Sequence, residues 1–262
     1  MAFIRGPIFS TVRIAEIFRS LQGEGFLTGT PSVFVRASGC NLRCWYCDTP
    51  YTSWEPEGED WSADEILARV DGLSAECGMR SAEYRNGQAA CGQQPAACRH
   101  AVLTGGEPML FSELVPLAAA LRERGFHITI ETAGTLYLPL ACDLMSISPK
   151  LASSTPPARR DPRWHERHER NRHVPDVIRR LVREYDYQIK FVVDSPRDCQ
   201  EADAWLAEFP EIDRSRVLLM PQGTDLDALR EKAGWLEPYC REHGVTFCPR
   251  KHIEWFGNVR GT

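Results

Sequence analysis

Cys40-Asn-Leu-Arg-Cys44-Trp-Tyr-Cys47-Asp-Thr49 sets three cysteines in a C-x3-C-x2-C spacing. Thiolates so placed can hold three corners of one iron–sulfur cluster, a group that ordinarily takes four cysteine ligands. One iron is then left to bind something that is not protein. A structural zinc site needs four ligands, usually as two separated pairs, and neither a second C-x2-C nor an H-x3–5-H pair follows at that distance. His165 and His168 stand too close together for such a pair and are read as part of a charged loop. Buried free cysteines packed as small hydrophobes are the other alternative.

Around this loop the chain has 262 residues, 43% hydrophobic and 26% charged, the make-up of a globular protein. That length suits a single α/β domain spanning residues 1–262, and no apolar run is long enough to cross a bilayer. Met1-Ala-Phe-Ile-Arg-Gly-Pro7 lacks the basic region, apolar core and small-residue cleavage site of a secretory leader, which argues for a reducing, cytoplasmic setting. There, abundant cysteine points to metal or catalysis before disulfides. Cys77, Cys91, Cys98, Cys142, Cys199, Cys240 and Cys248 form no second tight cluster and are read as packing residues. A net charge of −5 gives no electrostatic case for a nucleic-acid partner.

Strands alternate with helical patterns along the chain, which predicts a parallel sheet. Thr11 to Phe18 and Pro31 to Ala37 alternate as strands, separated by Leu21-Gln-Gly-Glu-Gly25, where glycines permit a tight turn and close approach of a ligand. Ser62-Ala-Asp-Glu65 is a capping box before a helix with Ile66, Leu67, Val70 and Leu73 on one face. Residues 75–99 lose periodicity and are read as an insertion. Ala101 to Thr104 is a strand ending at Gly105-Gly106-Glu107-Pro108, and Ser112 is placed as the cap of the next helix. Further strands are expected at His127–Glu131, Cys142–Ser148, Gln188–Asp194 and Arg216–Met220, with helices around Leu181, after Ser195-Pro196, and from Leu229 to a stop near Gly244. Residues 153–172, rich in Pro, Arg and His, are read as a solvated excursion without apolar period.

Ligands of parallel α/β arrays bind beyond the carboxyl ends of the strands. The unusual residues sit there: Cys40–Cys47, Thr104–Pro108, Glu131–Gly134, Ser148-Pro149-Lys150 and Met220-Pro221-Gln222-Gly223 each follow a strand.

The cysteine loop, with an aromatic residue at Tyr46, resembles the radical S-adenosylmethionine (SAM) superfamily. Leu21-Gln-Gly-Glu-Gly25, Phe34-x-Arg36-x-x-Gly-Cys40, Cys47-Asp-Thr49, Thr104-Gly-Gly-Glu107, Ser148-Pro-Lys150 and Arg250-x-His252-x-x-x-Phe-Gly257-Asn together resemble the 7-carboxy-7-deazaguanine synthase family of queuosine and 7-deazapurine synthesis. The resemblance implies a modified, incomplete (β/α) barrel and a homodimer. It implies a lyase that contracts the ring of 6-carboxy-5,6,7,8-tetrahydropterin with loss of ammonia, using a [4Fe–4S] cluster, SAM and Mg2+, with a flavodoxin-type reductant. By the same resemblance Cys40, Cys44 and Cys47 hold the cluster and Thr49 ligates Mg2+. Leu21, Gln22, Gly23, Glu24, Arg36, Thr104 and His252 are assigned to the pterin. Tyr46, Gly105, Gly106, Glu107, Glu131, Ser148, Pro149, Lys150, Met220, Pro221, Gln222 and Gly223 are assigned to SAM, with Gly106 bare so that the methionine end can approach. Short members of the family end in a proline near the pterin, whereas this sequence runs Gly257-Asn-Val-Arg-Gly-Thr262, so the resemblance carries no substrate contact over to its last residues. A glycyl-radical activating enzyme has a similar loop but needs a protein substrate, and an electron-transfer protein has no use for an open iron.

Overall fold

The computed structural model describes residues 11–75 and 98–262. The expected insertion at 75–99 lies almost wholly outside the described residues, as do Cys77 and Cys91. The strands are β1 (Thr11–Leu21), β2 (Pro31–Ala37), β3 (Glu59–Ser62), β4 (His100–Gly105), β5 (His127–Thr132), β6 (Leu144–Ile147), β7 (Tyr187–Val193), β8 (Val217–Pro221) and β9 (Thr246–Phe247). Helices run as α1 (Ala63–Ala75), α2 (Leu114–Glu123), α3 (Pro162–Asn171), α4 (Pro175–Glu184), α5 (Pro196–Ala207), α6 (Leu226–His243) and α7 (Lys251–Phe256). Among the described residues one sheet forms in the order β3-β1-β2-β4-β5-β6-β7-β8-β9. β1 is antiparallel to β2 and β3, and the remaining pairings are parallel. The sheet ends on β3 and β9 without closing, as an incomplete (β/α) barrel does.

Strand period 2 divides this sheet into an apolar face and a polar one. Val33, Val35 and Ala37 of β2, Ile128 and Ile130 of β5, and Ile189, Phe191 and Val193 of β7 enter the helix-covered core. Their neighbours Phe34, Arg36, Glu131, Lys190 and Val192 line a cavity on the opposite face. In β1 a register shift between Ile14 and Glu16 reverses the alternation. Val12, Ile14 and Ile17 thereby all reach the core, and Glu16 and Phe18 turn to the cavity.

Helices cover the apolar face by their own stripes. In α1 the buried residues are Ile66, Leu67, Val70, Leu73 and Ser74, and Glu65 accepts from Ser62 N and Oγ at 2.8 and 2.7 Å, forming the expected box. α6 stops at Gly244, which takes φ 66°, a left-handed value suited to glycine. Ser112 does not cap α2, because its hydroxyl turns to Glu113 instead.

The largest correction concerns residues 153–172. A helix, α3, occupies Pro162–Asn171, capped by Asp161 accepting from Trp164 N at 3.0 Å, with proline in its first turn. No apolar stripe announces it, since its one buried residue is His168.

Leu121 of α2 is fully buried against the sheet. Leu121→Ala is expected to cost about 2–5 kcal/mol through lost transfer and a residual cavity. Denaturant unfolding monitored by circular dichroism would read it; a loss below about 1 kcal/mol would contradict this packing.

Candidate functional site

The loop after β2 has its backbone bound on several sides by other parts of the protein. Leu42, 1% exposed, anchors it in the protein. Asn41 Nδ2 donates to Thr135 Oγ1 at 2.9 Å, Trp54 Nε1 donates to the Cys44 carbonyl at 2.9 Å, and Arg43 Nη1 donates to the carbonyls of Cys40 and Leu42. Cys40, Cys44 and Cys47 all line one cavity of about 550 Å3. Leu42 N and Ser53 Oγ each donate to a sulfur, of Cys40 and Cys47 respectively, at 3.4 Å. Burial pushes the Cys40 and Cys44 thiols up to about 12. Irons bound there must displace their protons, because thiolate is the ligand.

Gly105 and Gly106 join the end of β4 to this loop. Gly106 N donates to the Ala37 carbonyl at 3.1 Å, and Glu107 N to the Gly39 carbonyl at 2.9 Å. A Cβ on Gly106 would stand 2.2 Å from Gly39 O and 2.7 Å from Thr52 O. The expected reason for its bareness, room for a ligand, is therefore corrected: protein backbone already fills that space. Gly105 is barred from a side chain too, with φ 145° and Ala37 O at 2.0 Å from a built Cβ.

Leu21, Gln22, Gly23, Glu24, Arg36, Tyr46, Thr49, Thr104, Gly105, Gly106, Glu131, Ser148, Lys150, Met220, Gln222 and His252 line the cavity with the cysteines. Glu107, Pro149, Pro221 and Gly223 do not. Glu107 is fully buried and acts as a brace, its Oε1 accepting from Met109 N and Thr132 Oγ1 and its Oε2 from Ala133 N. The Gly223 carbonyl is taken by Arg250 Nη1 at 2.7 Å.

Two cavity residues have unspent hydrogen-bonding capacity. Gln22 Nε2 is buried with no partner among the described residues, a condition that costs free energy until a ligand supplies an acceptor. Arg36 gives Nε to Glu16 at 2.6 Å, and its terminal nitrogens make no hydrogen bond among the described residues. This outer edge has the geometry to grip a carboxylate. Thr49 Oγ1 lies 3.7 Å from Cys47 Sγ, a hard oxygen beside the sulfur.

Sequence reasoning missed the charges that tie this wall together. Glu24 is bonded by Lys190, by Arg250 Nε at 3.3 Å, and approached by His252 Nδ1 at 3.7 Å. Arg250, 6% exposed, also bonds Asp48 of the cysteine loop. Lys251 N donates to the Gly23 carbonyl at 2.9 Å, and a Cβ on Gly23 would meet His252 at 2.5 Å. The glycines of the Leu21–Gly25 turn thus admit protein, not only ligand. At the other end, Glu16 is shared by Arg36, Tyr51 and Arg260. Asn258, Val259, Arg260, Gly261 and Thr262 also line the cavity. Lys190 had one available signal, the single charge in the middle of a buried strand.

Burial works against the Glu24 charge, yet Lys190, Arg250 and His252 hold its pKa well below the ordinary 4.5. A depressed carboxyl contributes stability that is complete above its unfolded pKa and is lost only as pH falls through the folded one. Glu24→Gln should therefore cost about 3 kcal/mol, by an equal amount at pH 6 and pH 8 in denaturant titrations. A penalty that vanishes at pH 6 would contradict the ion-pair account.

Residues 34–150 match the description of the radical SAM superfamily. The chain is 43% identical over 254 residues to the 7-carboxy-7-deazaguanine synthase of Rhodopirellula baltica, covering 97% of this chain and 90% of the relative. To that of Halobacterium salinarum it is 44% identical over 252 residues, covering 92% and 88%. The crystal structure of QueE from Escherichia coli shares the fold, with TM-score 0.62 and 24% identity over 92% of this chain and 95% of that one. Kinship at this level over almost all of both chains places the protein in the 7-carboxy-7-deazaguanine synthase family of the radical SAM superfamily.

Proposed function

We infer that the chain converts 6-carboxy-5,6,7,8-tetrahydropterin to 7-carboxy-7-deazaguanine with release of ammonia. The observation that carries this reading is one cavity shared by three thiols, the unpartnered Gln22 amide and the open edge of Arg36. The superfamily's [4Fe–4S] cluster and SAM fit here by donor chemistry, Cys40, Cys44 and Cys47 being the sulfur ligands and Ser148 and Lys150 lying on the same wall. When bound, that pair supplies a 5′-deoxyadenosyl radical able to abstract hydrogen from carbon. The chain's own task is to hold the pterin still and dry. Arg36 grips the substrate carboxylate, with Glu16 fixing the guanidinium from behind. Gln22 reads the amide edge, and Glu24, kept ionised, accepts from ring N–H groups. Preorganised polar groups in the cavity cost no reorganisation when the reaction begins.

Thr49 is the side chain that suits Mg2+, which prefers few protein oxygens together with water and substrate oxygens. A cytoplasmic homodimer served by a flavodoxin-type reductant completes the reading, as the family resemblance implies.

Anaerobically reconstituted protein, given SAM, reductant and the pterin, is expected to form 7-carboxy-7-deazaguanine, identified by mass spectrometry, and to form more with Mg2+. Thr49→Ala should lower turnover about tenfold or more and raise the Mg2+ requirement, with iron content and SAM binding retained. Product formation indifferent to both Mg2+ and Thr49 would remove the metal role. An unreactive pterin in cluster-loaded protein would remove the substrate.

A further inference from the structure

His168 is the one buried residue of the charged helix α3, and its neighbours explain why it is a histidine. Its Nδ1 lies 3.1 Å from the backbone N of Arg43, in the middle of the cysteine loop. Nε2 lies 2.8 Å from Ser154 Oγ, which in turn lies 2.6 Å from the Leu151 carbonyl. A backbone N–H can only donate, so Nδ1 carries no proton, and a neutral ring then bears it on Nε2. Every donor meets an acceptor in one direction: Arg43 N–H to Nδ1, Nε2–H to Ser154 Oγ, and the Ser154 hydroxyl to the Leu151 carbonyl. Burial pushes the imidazole down to about 4, in keeping with a neutral ring.

The same segment grips the loop on the other side of Cys44. Trp45 N donates to the Ser154 carbonyl at 3.1 Å, and Trp45 Nε1 to the Ser153 carbonyl at 2.6 Å. The Arg43 guanidinium lies 3.9 Å from the centre of the Trp164 ring. Backbone N–H groups at 43 and 45, flanking Cys44, are thus both held from residues 153–168. Those contacts all come from within the chain. They set the backbone that aims the Cys44 thiol into the cavity.

We propose that His168, backed by Ser154, is a positioning residue that fixes the backbone between Cys40 and Cys44 through Arg43 N–H and so presets the loop for its cluster. This rests on the reading of Cys40, Cys44 and Cys47 as cluster ligands, and it assigns a task to a segment that the reaction itself does not use.

The test compares His168→Asn with His168→Gln. Asparagine places Oδ1 near the former Nδ1 and keeps an acceptor for Arg43 N–H, whereas glutamine reaches toward Ser154 and withdraws it. In cluster-free protein, amide hydrogen exchange at Arg43 should quicken about tenfold in His168→Gln and stay close to the parent rate in His168→Asn. After anaerobic reconstitution, loss of iron to a ferrous chelator should follow the same order. The electron paramagnetic resonance signal of the reduced cluster should broaden in His168→Gln alone. Equal Arg43 exchange and equal iron loss in parent and both variants would overturn the proposal. If His168→Gln does not fold, Ser154→Ala decides: faster Arg43 exchange supports the proposal, and unchanged exchange overturns it. A parent that takes up no iron defeats the cluster reading instead, while Arg43 exchange still judges the positioning role.

Discussion

The two-residue period of the strands is the constraint on which the rest of the molecule depends. Strands such as β2, β5 and β7 must give one face to apolar helices and one to the cavity. A slip of one residue would exchange Arg36 with Val35, or Lys190 with Ile189, and bury a charge among leucines. The antiparallel strand β1 obeys the same division only because its bulge shifts the register between Ile14 and Glu16. That local irregularity brings Glu16 round to orient Arg36.

Polar side chains on the inner face would weaken a small protein if they stood alone, since a buried charge needs a partner. Here they are joined across the sheet. Lys190 of β7 meets Glu24 from the turn after β1, and Arg250 ties that turn to Asp48 in the cysteine loop. The carboxylate and guanidinium groups therefore serve twice, binding loops to each other and furnishing a prearranged wall for ligand. Close backbone contact between Gly106 and Gly39 locks the same loop from below, and α3 locks it from outside. The cysteine loop is thus held by three independent sets of contacts within the protein.

Much of this was legible in residue order, because the determining forces are local. Alternation marked β2 and β5, the Ser62–Glu65 box marked the start of α1, and Gly244 marked the end of α6. The cavity's chemistry was legible through C-x3-C-x2-C and the residues at strand ends. What escaped was set by contacts far apart in the chain. Glu24 and Lys190 are 166 positions apart, Glu24 and Arg250 are 226 apart, and Asp48 and Arg250 are 202 apart, distances at which no periodicity reports pairing. Helix α3 escaped for a different reason: an apolar stripe ordinarily reveals a helix, and this one docks through a histidine, a tryptophan and its polar cap. The bareness of Gly106 escaped for a third reason, since only the fold shows protein backbone standing where its side chain would go.

Hydrogen transfer tests the central claim most directly. Cluster-loaded protein should be given SAM and 6-carboxytetrahydropterin deuterated at C6, and the deuterium followed by mass spectrometry. The account predicts deuterium in 5′-deoxyadenosine or in recovered SAM as 7-carboxy-7-deazaguanine accumulates. Cleavage of SAM without transfer of deuterium from the pterin would contradict it.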